Sequence, residues 1–238
     1  MTDRDSTGDS PPPTPPGDET VALAAAAHEI KNALGPLGMT LQLAERQLLA
    51  GQPIAPADLA FARAQVRRLG GLVDDLLDLT RADLGEIPFR PRPADLREVL
   101  TEAVEVFRRG GRVASVALEL PDGPLLAPVD AGRLVQVLIN LLENAARYSA
   151  PGLPIVVAAA RAGAAARIEV RDQGPGLHAA DRERIFGRFV RGAAAEGTSG
   201  LGIGLYLCRA IVERHGGAIG VESPPGAGAT FWIELPAG

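Results

Sequence analysis

His28 opens the run His28-Glu29-Ile30-Lys31-Asn32, and far downstream the same chain carries a pair of asparagines and three glycine-rich loops. A neutral imidazole keeps a usable lone pair at cellular pH, because its ordinary pKa is about 6.5. It is a nucleophile waiting for an electrophile. Asn140 and Asn144 stand one turn apart on a helix that also carries Glu143, Arg147 and Tyr148. Two carboxamides on one face can present oxygens to a hard cation such as Mg2+. Arg147 adds positive charge for phosphate, and Tyr148 can lie against a flat ring.

Asp172-Gln173-Gly174-Pro175-Gly176-Leu177 directly follows a strand-like segment. An aspartate at a strand end can accept a hydrogen bond from an exocyclic amine, which is how a protein can choose adenine. Gly174 and Gly176 let backbone approach the ring closely. Ser199-Gly200-Leu201-Gly202-Ile203-Gly204-Leu205 leads into a helix, whose N-terminal N–H groups and positive dipole end bind phosphate. It lacks the Gly-Lys-Ser/Thr ending of a P-loop and the spacing of a dinucleotide fingerprint. The small, flexible stretch from about 187 to 199 can close over a nucleotide as a lid. Zinc is excluded: a histidine followed by glutamate on a helix begins a zinc-protease signature, but Asn32 stands where the second histidine must be, and His178 and His215 lack helpful neighbours.

These groups need elements to hold them. Ile30, Leu37 and Ala44 recur every seventh residue, as do Leu34, Leu41 and Leu48, which is the seam of a bundled helix. On that register His28 and Asn32 fall side by side on the water-facing side. The first helix is expected over about 19–50, interrupted near Gly35-Pro36, because proline removes a backbone donor. A second helix follows with Leu59, Val66 and Val73 in one row and Leu69 and Leu76 in another, ending near Gly85. A lone hairpin leaves much of its seam wet, so two chains are expected to pair into a four-helix bundle.

Beyond Pro88, Pro91 and Pro93, which read as a stiff linker, the pattern turns mixed. Helices are expected at about 94–108, 130–147 and 201–214, and strands at 116–120, 155–157, 168–170, 217–222 and 229–235. Partly consecutive strands with helices on one side make an α+β two-layer sandwich. The organisation is therefore a disordered Pro-rich leader over 1–19, a hairpin over 20–85, a linker over 86–93 and a nucleotide-binding domain over 94–238. The net charge of −5 argues against a nucleic-acid or anionic-membrane binder. Cys208 is the sole cysteine, so no internal disulfide forms. No apolar run approaches the roughly 20 residues of a membrane span, and the acidic start is no signal peptide. The expectation is a cytoplasmic protein.

Six segments resemble, in order and spacing, the boxes of bacterial sensor histidine kinases. His28 to Asn32 is similar to the phosphoacceptor box and Asn140 to Tyr148 to the asparagine box. Asp172 to Gly176, Arg184 to Arg191, Ser199 to Gly204 and Gly226 to Phe231 are similar to the first glycine, phenylalanine, second glycine and third glycine boxes. The resemblance covers nearly everything from about residue 20 onward. It implies a dimeric hairpin joined to the Bergerat nucleotide-binding fold, an ATP-dependent kinase that phosphorylates His28, and a response regulator receiver domain as partner. By the same resemblance Asn140 and Asn144 hold Mg2+, Arg147 and Arg191 touch the triphosphate, Tyr148 packs near adenine and Asp172 bonds its amino group. Gly174, Gly176, Ser199, Gly200, Leu201, Gly202, Gly204 and Thr230 complete the ATP site. Glu29 resembles the base on the histidine, and Asn32 the residue that positions water for dephosphorylating the partner.

Two departures stand out: Ala33 occupies the place where the family usually has proline, and no transmembrane or coiled-coil input region precedes His28. Two rival functions are weighed against the kinase. One is a phosphotransfer-only dimer whose nucleotide fold has become structural, against which the intact asparagines and glycine loops speak. The other is a different ATPase of the same fold, which would lack the hairpin bearing His28.

Overall fold

The computed structural model describes residues 18–84, 87–110, 114–150, 152–190, 201–224 and 226–237. Most of the expected leader, and the sites expected at Arg191, Ser199 and Gly200 together with most of the lid, lie outside these residues.

Two antiparallel helices come first, α1 (Asp18–Leu49) and α2 (Pro56–Asp83). α1 thus starts inside the stretch expected as leader. It also runs unbroken through Pro36, so the expected interruption is absent. Proline here forfeits only one backbone bond, and Gly35 and Pro36 both lie on the exposed side, where a freed carbonyl is open to hydration. α2 opens with Pro56, whose missing N–H is an orphan in any first turn, and with Asp58 at the positive dipole end. Small side chains line the contact between the helices: Ala26, Ala33, Ala44 and Ala62 are buried.

The second unit contains β1 (Arg92–Asp95), α3 (Leu96–Arg109), β2 (Val116–Glu119), β3 (Leu126–Val129), α4 (Ala131–Tyr148), β4 (Ile155–Ala162), β5 (Ala165–Arg171), a single turn α5 (Asp181–Arg184), α6 (Gly204–Arg214), β6 (Ala218–Glu222) and β7 (Thr230–Pro236). Five strands form one sheet in the order β2-β4-β5-β7-β6, antiparallel except for the parallel β2–β4 pair. β5 and β7 alternate buried and half-buried residues, turning one face to a core shared with α3, α4 and α6. The other face carries an ion-pair ladder in which Arg167 reaches Glu169, Glu222 and Glu234. This is the expected α+β two-layer sandwich.

The linker expectation needs one correction. Arg92 and Pro93 belong to β1, which pairs with β3 in a separate two-stranded ribbon that places Pro93 opposite Pro128. A two-strand ribbon is all edge, so prolines that cannot donate are tolerated there. The next helix starts at Leu96 because Asp95 caps it, accepting from the Arg97 N–H. Asp130 caps α4 in the same way through the Arg133 N–H.

The two units touch. Leu201 and Ile203, from the second glycine box, bury against Ala26 of α1 and Leu72 of α2, with Ile30, Leu76, Leu79 and Phe189 packed around them. Beside this contact the buried Asp78 of α2 accepts from Arg133 at 2.7 Å and from Gln136 at 2.8 Å, both on α4. Among the described residues no helix is long and apolar enough to cross a membrane.

Candidate active site

His28 stands exposed on α1, with Asn32 exposed one turn further on. Adjacent residues on a helix point roughly 100° apart, so Glu29 cannot share that outlook. It turns inward instead: Glu29 is buried and bonds Arg68 of α2 at 2.8 Å. In this arrangement the carboxylate serves Arg68, while the imidazole beside it faces water. The turn around His28 is also where the two units meet, because Ala26 and Ile30, two residues to either side, belong to the cluster with Leu201 and Ile203.

α4 presents Asn140 and Asn144 half-buried, one turn apart. The Asn140 carboxamide lies beside the bare Cα of Gly204, at the start of α6, and the buried Cys208 thiol donates to the Val137 carbonyl at 3.8 Å. Burial pushes the Cys208 thiol up to about 12, partly offset by the neighbouring Asn140 side chain, so it stays protonated. Arg147 is exposed and Tyr148 half-buried, its carbonyl facing Gly174. Two carboxamide oxygens on one helix face, with glycine in place of a bulkier neighbour, are a donor set that fits Mg2+.

Asp172, at the end of β5, is buried. Its Oδ1 accepts from the Gly174 N–H at 2.8 Å and the Ala229 N–H at 3.3 Å, and its own N–H donates to the Ala229 carbonyl at 2.8 Å. Burial raises the Asp172 carboxyl above its usual range, and the two backbone donors act against that. Two glycines make this closeness possible. Gly228 has φ +77° and a side chain there would run into the Asp172 carbonyl, while Gly176 has φ +75° and a side chain would meet the Pro224 carbonyl. Gly202 packs against the Phe189–Val190 backbone, and Thr230 opens β7 half-buried.

The structure therefore joins Asp172, Gly174, Gly176 and the third glycine box, brings the end of α4 to them where the Tyr148 carbonyl faces Gly174, and sets Asn140 beside Gly204. It sets Leu201 to Gly204 between them and the helix of His28. Sequence reading missed four participants: Arg68, Asp78 with its α4 partners, Asp75 and Ser223. The Asp75 carboxyl is pushed up to about 6, by burial first and then by Asp78, Glu143 and Asp74. Ser223 is the one with a visible signal, since Ser-Pro-Pro-Gly directly after a strand marks a structured turn.

Comparison with known proteins adds to this geometry. Residues 19–85 match the family model described as His Kinase A (phospho-acceptor) domain, and residues 129–238 match the one described as Histidine kinase-, DNA gyrase B-, and HSP90-like ATPase. The chain is 35% identical over 227 residues to the Adaptive-response sensory kinase SasA of Thermosynechococcus vestitus, covering 90% of this chain and 59% of that protein. The structure of the mycobacterial sensor histidine kinase MprB is similar at 31% identity and a TM-score of 0.57, covering 61% of this chain and 98% of that one. Full-length ShkA in complex with AMPPNP is similar at 27% identity and a TM-score of 0.62, over 92% of this chain and 46% of that one. The chain spans between 24% and 59% of the length of three curated relatives that it matches.

Proposed function

Because this chain belongs to the sensor histidine kinase family, we propose that it binds ATP with Mg2+, phosphorylates its own His28, and passes the phosphoryl group to an aspartate of a response regulator receiver domain. The observation that supports this reading most is the burial of Leu201 and Ile203 against Ala26 and Ile30. It sets a nucleotide-loop segment beside an exposed histidine.

On this reading the hairpin unit runs to about residue 85, the linker is 86–91 and the ATP-binding unit begins with β1 at Arg92. Asp172 accepts from the adenine amino group, Tyr148 lies near the ring, and Gly174, Gly176 and Thr230 shape that end of the cleft. Ser199, Gly200, Leu201, Gly202 and Gly204 offer backbone amides to the phosphates, with Arg147 and Arg191 supplying positive charge. Asn140 and Asn144 would hold Mg2+, which would supply positive charge to the phosphate oxygens. The free nitrogen of His28 attacks the γ-phosphorus in line. A P–N bond forms as the bond to the β-bridging oxygen breaks and ADP departs. Glu29, once released from Arg68, takes the proton of the other ring nitrogen. The phosphoramidate has high transfer potential, so the carboxylate of a receiver aspartate can displace the imidazole. Asn32, exposed one turn from His28, orients water on this reading for the reverse task of dephosphorylating that partner.

Two copies pair through the hairpin. Leu34, Leu41 and Leu48 of α1 and Leu59, Val66 and Val73 of α2 are about half exposed, and a second hairpin buries both rows. On this reading, dependence on ATP puts the reaction in the cytoplasm.

The test is incubation with γ-labelled ATP and Mg2+. Label that is acid-labile, base-stable and lost in His28→Ala is expected. Well-folded protein that takes no label would favour the rival in which the nucleotide fold is structural only.

A further inference from the structure

Ser223 follows β6, is 1% exposed, and uses its hydroxyl twice. Oγ accepts from the Leu177 N–H at 2.7 Å and donates to the Gly228 carbonyl at 2.8 Å. Leu177 closes the loop that begins at Asp172, and Gly228 lies in the loop that leads into β7. The same loops meet again where the Gly226 N–H donates to the Pro175 carbonyl at 2.8 Å. Each loop also sends one amide to Asp172: Gly174 three residues before Leu177, and Ala229 one residue after Gly228. A hydroxyl that accepts and donates while buried is satisfied on both counts, and its removal strands a half-buried N–H and a buried carbonyl.

We propose that Ser223 is a positioning residue for base selectivity: by clasping the 174–177 loop to the 226–229 loop, it keeps both amides on Asp172 and so fixes the direction of that carboxylate. A fixed carboxylate accepts from the amino group of adenine. Guanine carries a carbonyl at the equivalent ring position, so two acceptors would face each other, and a rigid pocket rejects that base. A loosened Asp172 turns away and loses the distinction. This inference rests on the assignment of Asp172 to adenine made above.

The experiment is equilibrium displacement of a fluorescent ATP analogue from the full chain by ATP and by GTP, for wild type, Ser223→Ala and Ser223→Thr. Wild type is expected to prefer ATP, Ser223→Ala to lose about tenfold of the ATP-to-GTP preference, and Ser223→Thr, which retains the hydroxyl, to keep it. A general loss of stability lowers both affinities together, so an unchanged preference in folded Ser223→Ala overturns the clasp. Wild type with no preference for ATP instead overturns the assignment of Asp172, which separates the two failures. Should Ser223→Ala fail to fold, hydrogen exchange of wild type decides. Protection of the Leu177 amide well above that of the exposed Gln173 supports the clasp, and equal rates refute it.

Discussion

Along α4 the residues Leu134, Val137, Leu138, Leu141, Leu142 and Ala145 are each at most 1% exposed, whereas in the hairpin Leu34, Leu41, Leu59 and Val66 are 50–57% exposed. The sheet unit closes its own core from three helices and one sheet face. The hairpin buries mostly alanines between its helices and turns its leucines outward. A unit that is complete alone can hold a nucleotide site rigidly, because each glycine loop is anchored on packed elements. A hairpin with apolar rows to spare is a poorer monomer and a better assembly surface, which leaves it free to change partners. The ion pair that holds Glu29 against Arg68, and the contacts that hold Asp78 against Arg133 and Gln136, fit such an element.

The sharpest way to break this contrast is a pair of truncations. Leu141→Ala removes a fully buried side chain and is expected to cost about 2–5 kcal/mol of stability in chemical denaturation. Leu41→Ala, half exposed in the single chain, is expected to leave unfolding of the sheet unit within about 0.5 kcal/mol while weakening self-association in analytical ultracentrifugation. Equal losses of fold stability from both would erase the distinction. A smaller change in energy tests the site: Asn144→Ala is expected to lower His28 labelling by about 100-fold or more without altering oligomeric state. Labelling at the wild-type rate would remove Asn144 from the metal set.

The smallest effect concerns the contact between the units. Asp75 is held at about 6 against an ordinary 3.8, so the packed state binds its proton more tightly than the opened one. Its stability contribution is full below the ordinary value and is lost as pH rises through about 6. Thermal melts from pH 5 to 7.5 should therefore fall with pH, and Asp75→Asn should flatten that slope. An unchanged slope in the variant would assign the effect elsewhere.

Much of this was legible in the residues. The stripe on α4 is a strong 3.6-residue pattern, β5 and β7 alternate cleanly, and Asp172 with its glycines is a local motif that needs no partner to be seen. What escaped has physical reasons. β1 and β3 are four residues each, with Pro93 and Pro128 in them, so neither propensity nor periodicity announces a strand. Pro36 looked like a break, yet one lost bond on an exposed side does not end a helix of 32 residues. Glu29 with Arg68, 39 residues apart, and Asp78 with Arg133, 55 apart, are tertiary pairings that leave no periodic trace in the chain. Because Glu29 sits beside His28 in sequence, its partnership with Arg68 was the least foreseeable feature of the site.

The most direct test is to locate the phosphate itself. After incubation with ATP and Mg2+, the chain should be digested and fragmented without exposure to acid, and the modified side chain identified by mass spectrometry. A single phosphoryl group on the ring of His28 is the predicted result. The same group on a serine, threonine or aspartate, with His28 unmodified in folded, nucleotide-bound protein, would contradict it.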